Sequence, residues 1–393
     1  MKEKKSFLKI LEYYNILLFC LSTWKITGNY KALSIIYFSG MIVLFLIVIC
    51  KERVNFFSRV KNNKALLFVC FILLISSLSS LEKFNTIQNS IFIFTIILYS
   101  IILSILYEST EFYNMLIKYY IFSIIVSLIV IYFLPNIGTT YYDGEIVVKG
   151  VYSHKNILAR NMIISIIIFI NSISVKKCML KKIFYLCFTI LSITLIVLSK
   201  STTGLIYAIT FVALYIIITK KKKVTTIIEK AIYIVVLLFN MFVIWISNPI
   251  NTNRLAGYKI FNKDFSFTGR TGIWNFAIDY IKSRPLNGYG YCAFWQNYNI
   301  QNNFYGLYGF NPPHAHNGYL DCILNAGIIL LISLLFIIIK IIKNSNNTIY
   351  ERSTFLIMIF VLLINLTEES FLQGGTIIFP IIIFFNYAQR KIR

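Results

Sequence analysis

The chain is written as a succession of apolar runs, each of about the length needed to cross a bilayer, and that pattern constrains everything else. A hydrocarbon core takes about 20 apolar helical residues. About twelve stretches qualify: roughly 8–24, 32–50, 65–81, 87–107, 116–134, 157–175, 183–199, 203–219, 231–247, 319–342, 353–367 and 372–388. The first is interrupted by Glu12. Lipid offers no hydrogen bonds to an open backbone, so runs of this length must be helical. The expected fold class is an all-α integral membrane protein with about 12 transmembrane helices. Composition agrees, since only 13% of the 393 residues are charged, against about 25% in soluble domains.

A net charge of +23 would fit a nucleic-acid partner if it formed one basic face, but it is dispersed. Lys51, Arg53, Arg59, Lys61 and Lys64 occupy one short loop, and Lys176, Lys177, Lys181 and Lys182 another. Lys220 to Lys223, and the tail with Arg390, Lys391 and Arg393, complete the pattern. That is the distribution of cytoplasmic loops, so nucleic acid is excluded and membrane lipids are the expected surroundings. Met1 to Lys5 reads as a cytoplasmic flank and not as a cleaved signal. The same count puts both termini inside a bacterial cytoplasmic membrane. Residues 1–247 then carry helices one to nine, with an outward loop at about 135–156. Residues 248–318 form a long extracytoplasmic loop with a short amphipathic helix, and 319–393 carry helices ten to twelve. Seven cysteines, mostly in or beside apolar spans, imply no disulfide framework. With no Walker A motif, dinucleotide fingerprint or metal-ligand spacing, no cofactor is expected.

The long loop holds the residues suited to chemistry. Gly269 and Arg270 precede a stretch in which Ile273, Trp274, Ala277, Ile278 and Ile281 recur at helical spacing, and Pro285 ends it. A guanidinium at a helix N-terminus adds its fork of donors to free backbone N–H groups. Arg270, with Arg254 or Arg284 beside it, suits a lipid-linked diphosphate; the plainer reading is contact with lipid head groups. His314 and His316 follow Pro312-Pro313 and lead into the next span. Imidazole moves its proton near neutral pH, so either could take one from a sugar hydroxyl, or simply pack at the interface. Zinc is not expected there, because a third ligand at suitable spacing is missing. The aromatic and amide residues between Arg270 and these histidines, Trp295 and Tyr298 among them, suit a sugar surface or a membrane interface equally.

An earlier outward segment carries His154, Lys155 and Asn156 and enters a span that contains Arg160. A charge inside an apolar span is costly and marks function by default. Glu368 and Glu369, between the last two spans, read as a solvated turn or as a carboxylate that orients a histidine or binds acceptor.

The order of these pieces resembles the O-antigen ligase and polymerase superfamily. The matching residues are Gly150 to Asn156, Gly269-Arg270 to Trp274, Pro285 to Gly290, and His316-Asn317-Gly318-Tyr319 ahead of Gly327. The resemblance covers roughly residues 150 to 330 in motif and the rest in hydropathy. It implies a helical bundle like glycosyltransferases of class C, and metal-independent transfer of a glycan from undecaprenyl diphosphate. It also implies outward arginines on the diphosphate and a loop histidine on the acceptor, carried here onto Arg160, Arg270 and His316, with a weaker claim for His314. His154, Lys155, Asn156, Arg254, Arg284, Trp274, Trp295, Asn317 and Glu368 are expected around the substrate. The first outward loop, Lys25 to Lys31, has no carboxylate, so cationic side chains must do what a metal does elsewhere.

The expectation is a polymerase acting on undecaprenyl-diphosphate-linked oligosaccharide, alongside assembly proteins such as a flippase and a chain-length regulator. Ligation to another acceptor is the nearest alternative. An Ile-, Lys- and Asn-rich composition points to an AT-rich genome and ranks polymerisation first. A flippase of the same lipid-linked unit is the rival from another class, and it predicts internal symmetry and charges spread through several spans.

Overall fold

The computed structural model describes residues 2–24, 30–142, 144–175, 178–220, 222–248, 251, 259–260, 263–264, 269–345 and 349–372. The apolar runs form helices α1 (Lys2–Thr23), α2 (Tyr30–Asn62), α3 (Lys64–Ile75), α4 (Lys83–Leu106) and α5 (Ser109–Phe133). A short turn of helix, α6 (Pro135–Gly138), and an antiparallel hairpin, β1 (Thr139–Tyr142) with β2 (Glu145–Val148), lead to α7 (Lys155–Val175). Then come α8 (Met179–Leu198), α9 (Thr202–Lys220) and α10 (Lys222–Ile246). A two-residue ladder, β3 (Lys259–Ile260) with β4 (Lys263–Asp264), precedes α11 (Arg270–Ser283) and α12 (Tyr298–Tyr308). The chain continues through α13 (Gly318–Lys343) and α14 (Ile349–Ile364). The twelfth expected span, at 372–388, lies beyond the described residues but for its first, Leu372.

Among the described residues, six helices are long and apolar enough to cross a membrane: α4, α5, α7, α8, α10 and α13. The protein is an all-α multi-pass membrane protein. Its outer helices show why, since α10 exposes Ile234, Leu237, Leu238 and Met241, a face that only lipid would solvate. By contrast, 78% of the apolar window of α7 is buried, and that helix packs on α8, α9 and α14. It is the centre of the bundle and carries Arg160.

A second, smaller core lies beneath α11 and α12. Trp274, Phe276, Phe294 and Phe304 pack there against Leu320 and Leu324 of α13. This is the amphipathic pattern expected of α11: Ile273, Trp274 and Ala277 are buried while Asp279 and Lys282 face out.

Helix α13 is broken at Ala326 and Gly327. The segment 285–290 pairs with the opened backbone: Tyr289 N–H donates to Leu324 O at 2.7 Å, Gly290 N–H to Asn325 O at 3.0 Å, and Ile328 N–H to Pro285 O at 2.9 Å. Irregular backbone within a membrane-spanning helix needs protein partners of this kind. Gly327 has φ +78°, and a Cβ there would lie 1.8 Å from Leu286 O; no larger residue fits the break.

Candidate functional site

Four pieces of chain converge on a cavity of about 280 Å³. Its walls are the start of α7, the start of α9, the loop before α13 and the loop after α14. That is near the lower end for a small-molecule site, about 300–1,000 Å³.

The first piece begins at His154, whose carbonyl accepts from Ile157 and Leu158 N–H and so starts α7. Its Nδ1 accepts from Asn156 N–H at 3.2 Å. Asn156 spends both ends of its amide: Nδ2 donates to Glu368 Oε1 at 2.8 Å, and Oδ1 accepts from Ser201 Oγ at 3.2 Å. Arg160 follows on α7, only 4% exposed, and donates to the Glu369 carbonyl at 3.2 Å. Lys155 instead lies over the Tyr142 ring of the hairpin, 3.7 Å from its centroid.

The second piece is the segment Pro312 to Asn317. Ala315 is clamped on both sides: its N–H donates to both Asp321 oxygens at 3.0 Å, and its carbonyl accepts from Trp274 Nε1 at 3.0 Å. Asp321 also accepts from Trp295 Nε1 at 2.8 Å. Trp274 and Trp295 therefore hold the loop and do not line the cavity. Asn317 caps α13 by accepting from Tyr319 and Leu320 N–H. His316 adopts φ +50°, unusual for a residue with a Cβ. Its N–H donates to His314 Nδ1 at 3.0 Å.

The third piece is the loop after α14. Asn365 Oδ1 accepts from Ser370 and Phe371 N–H and shapes that loop. The Asn365 carbonyl accepts from Gly318 N–H at 2.8 Å. A Cβ on Gly318 would lie 2.0 Å from Asn365 Oδ1, so glycine permits the two loops to meet.

Glu368 is where everything joins. Its side chain is 12% exposed and stands 3.6 Å from His316 Nδ1, 3.8 Å from His314 Nε2 and 3.7 Å from Arg270 Nη2. Arg270 sits at the first turn of α11 beside the cavity and also donates to Thr367 O at 3.2 Å. Burial alone would raise the Glu368 carboxyl, but His316, then His314 and Arg270, hold it at about 2. Glu369 is different: burial, offset in part by Arg160, pushes it to about 7. Burial lowers His314 to about 4, and His154 is lowered mainly for the same reason. Near neutral pH the site holds two guanidinium groups, two neutral imidazoles, the ionised Glu368 carboxylate tied to the third histidine, and a Glu369 carboxyl close to its midpoint.

The solvated-turn reading of Glu368 and Glu369 is thereby corrected, as both carboxyls are buried within the site. The only sequence signal was a carboxylate pair in a chain with 15 acidic residues. Asp321, Asn365 and Ser201, each essential to this geometry, carried no local motif. Arg284 lies away from the cavity: it donates to Ser79 O at 3.0 Å and rests over the Tyr289 ring. Arg254 is outside the described residues.

The zinc reading also changes. His314, His316 and Glu368 place possible ligand atoms within 4.8 Å of one another, so the tertiary fold supplies the third ligand absent from local spacing. Even so, the donor set fits a metal poorly. His314 Nδ1 accepts a backbone N–H, so its Nε2 carries the proton, whereas a metal-ligating histidine donates from its other nitrogen.

The fold and the site define a multi-pass membrane protein with a cationic, histidine-bearing cavity near the ends of its helices. Residues 187–335 match the O-antigen ligase family. Over 86 residues the chain is 35% identical to the exopolysaccharide production protein ExoQ of Rhizobium meliloti strain 1021, a match covering 20% of this chain and 19% of that protein. The aligned stretch thus spans about a fifth of the curated relative. Both findings support a likeness to the O-antigen ligase and polymerase superfamily. The family match contains Arg270, His314, His316 and Asp321, but neither Arg160 nor Glu368.

Proposed function

We propose that this protein polymerises a cell-envelope polysaccharide (O-antigen, capsule or exopolysaccharide) at the extracytoplasmic face of a bacterial cytoplasmic membrane. The growing glycan leaves undecaprenyl diphosphate and joins the terminal sugar of an incoming lipid-linked repeat unit. The observation that carries this reading is Glu368, which gathers Arg270, His314 and His316 at a cavity that Arg160 also lines.

The chemistry follows from those groups. His316 takes the proton of the acceptor hydroxyl as its oxygen attacks the anomeric carbon of the donor. The bond from that carbon to the diphosphate oxygen breaks, and the electron pair leaves with the diphosphate. Arg160 and Arg270 stabilise the charge that develops there. Glu368 orients His316 and compensates the imidazolium, as a carboxylate does for a catalytic histidine. No metal is required in this scheme.

The test is to incubate the purified full chain with lipid-linked oligosaccharide and separate the products by size. A ladder of lengths supports the polymerase. A single transfer to a different added acceptor supports ligation instead, and no product from either acceptor overturns both.

A further inference from the structure

His154 and His314 share a local device. In each, the backbone N–H two residues further on donates to Nδ1, from Asn156 at 3.2 Å and from His316 at 3.0 Å. A neutral imidazole has one donor and one acceptor nitrogen, so an accepting Nδ1 leaves the proton on Nε2. Burial keeps both rings neutral, and both line the cavity with Arg160. They differ in where Nε2 is spent. That of His314 faces the Glu368 carboxylate at 3.8 Å, whereas that of His154 has no hydrogen-bond acceptor among the described residues. His316 has no such lock, and its Nδ1 is buried without a hydrogen-bond partner among the described residues.

We propose that His154 binds the diphosphate of the lipid-linked donor through Nε2–H, as a hydrogen-bond donor of fixed tautomer beside Arg160, and takes no proton in the reaction. The inference rests on the donor assigned under Proposed function. Three features meet at that spot: an N–H without a protein acceptor, a guanidinium deeper on the same helix, and the N-terminal end of the 21-residue α7. Each favours an anion. The arrangement divides labour among the histidines by tautomer. His154 donates to the leaving group, and His316, free of the backbone lock, exchanges the proton.

Two substitutions separate the halves of the ring. Asn at this position keeps the turn, because its Oδ1 can accept the N–H two residues on, but it has no donor near Nε2. Gln loses the turn acceptor and places an amide N–H near Nε2. Binding of undecaprenyl diphosphate to the purified full chain is measured for wild type, His154→Asn, His154→Gln and His154→Ala, with thermal unfolding as a check on folding. Losing a hydrogen bond to a charged group costs about 10-fold or more in affinity. The expected order is therefore His154→Gln within about 3-fold of wild type, with Asn and Ala each weakened by about 10-fold or more. The acid limb of the transfer rate against pH should also survive in His154→Gln. Any other order overturns the proposal: tight binding by Asn with weak binding by Gln assigns His154 to the turn alone, and equal binding by all variants leaves it outside the site. Loss of the acid limb in His154→Gln would make His154 the base and overturn it too. A wild-type protein that does not bind undecaprenyl diphosphate sinks the donor assignment itself, and this inference with it.

Discussion

Oε2 of Glu368 stands 3.6 Å from Nδ1 of His316, joining the loop that follows α14 to the loop that precedes α13. The distance is that of an electrostatic contact, longer than a direct hydrogen bond. In the proposed mechanism the carboxylate balances the charge of the His316 ring once that ring takes the acceptor proton. Glu368→Gln removes the charge while retaining an amide oxygen for Asn156. The expected outcome is a fall of about 100-fold in the transfer rate, with little change in donor affinity. Single-turnover kinetics beside a binding isotherm checks this; equal loss in both measurements would assign Glu368 to binding instead.

Arg160 and Arg270 each give one N–H to a carbonyl of the same loop, Glu369 O and Thr367 O. Lysine cannot hold that carbonyl and fork onto a phosphate together. Arg270→Lys and Arg160→Lys should each lower transfer about 10-fold or more, and the alanine variants should abolish the product ladder. Stability distinguishes the two, because Arg160 is buried near Glu369 on the central helix while the Arg270 side chain is 21% exposed. Arg160→Ala should melt at a clearly lower temperature than Arg270→Ala, and the reverse order in a thermal scan would contradict these placements.

Asp321 never touches the cavity, yet it fixes Ala315 through two hydrogen bonds. Asp321→Asn turns one acceptor into a donor facing N–H groups. It should slow transfer while leaving donor affinity near that of wild type. Trp274→Phe strips the Ala315 carbonyl of its partner and should cost about 1–3 kcal/mol of stability. Denaturant melts and paired rate and affinity measurements read both.

Glu369 makes the fold sensitive to alkali. Its carboxyl is raised to about 7 in the folded protein, so its contribution is present below the ordinary carboxyl range and is lost as pH rises through about 7. Glu369→Gln should therefore match wild type at pH 4 and exceed it at pH 8.5, by on the order of 3 kcal/mol for a displacement of that size. Melting temperatures across that interval decide it; a variant less stable at pH 8.5 would show that the Glu369 charge is needed by Arg160.

Much of the bundle was legible because lipid leaves few choices. Eleven of the expected spans coincide with helices, and the twelfth lies beyond the described residues but for Leu372. The candidate site was legible where one short motif carried a residue that the fold brings to Glu368, as with Arg270 after Gly269 and His316 after the proline pair. It was not legible where the geometry is tertiary. The same carboxylate pair would read identically in a solvated turn, and nothing near Glu368 in sequence announces the histidines it meets. Asp321 likewise carries no local signal of its role, and only the fold shows it gripping Ala315. Lys155 was read with His154 from adjacency in the chain, but the hairpin draws it onto Tyr142.

The pairing of 285–290 with the open backbone of α13 makes that loop and that helix one inheritable unit. A chimera that exchanged the segment before α13 of this protein for a relative's, while keeping its own α13, would set foreign backbone against the gap at Ala326–Gly327. The histidine segment lies between those two contacts. A clean transplant would therefore run in one block from Arg270 through Ile328, and a smaller graft would misalign the histidines.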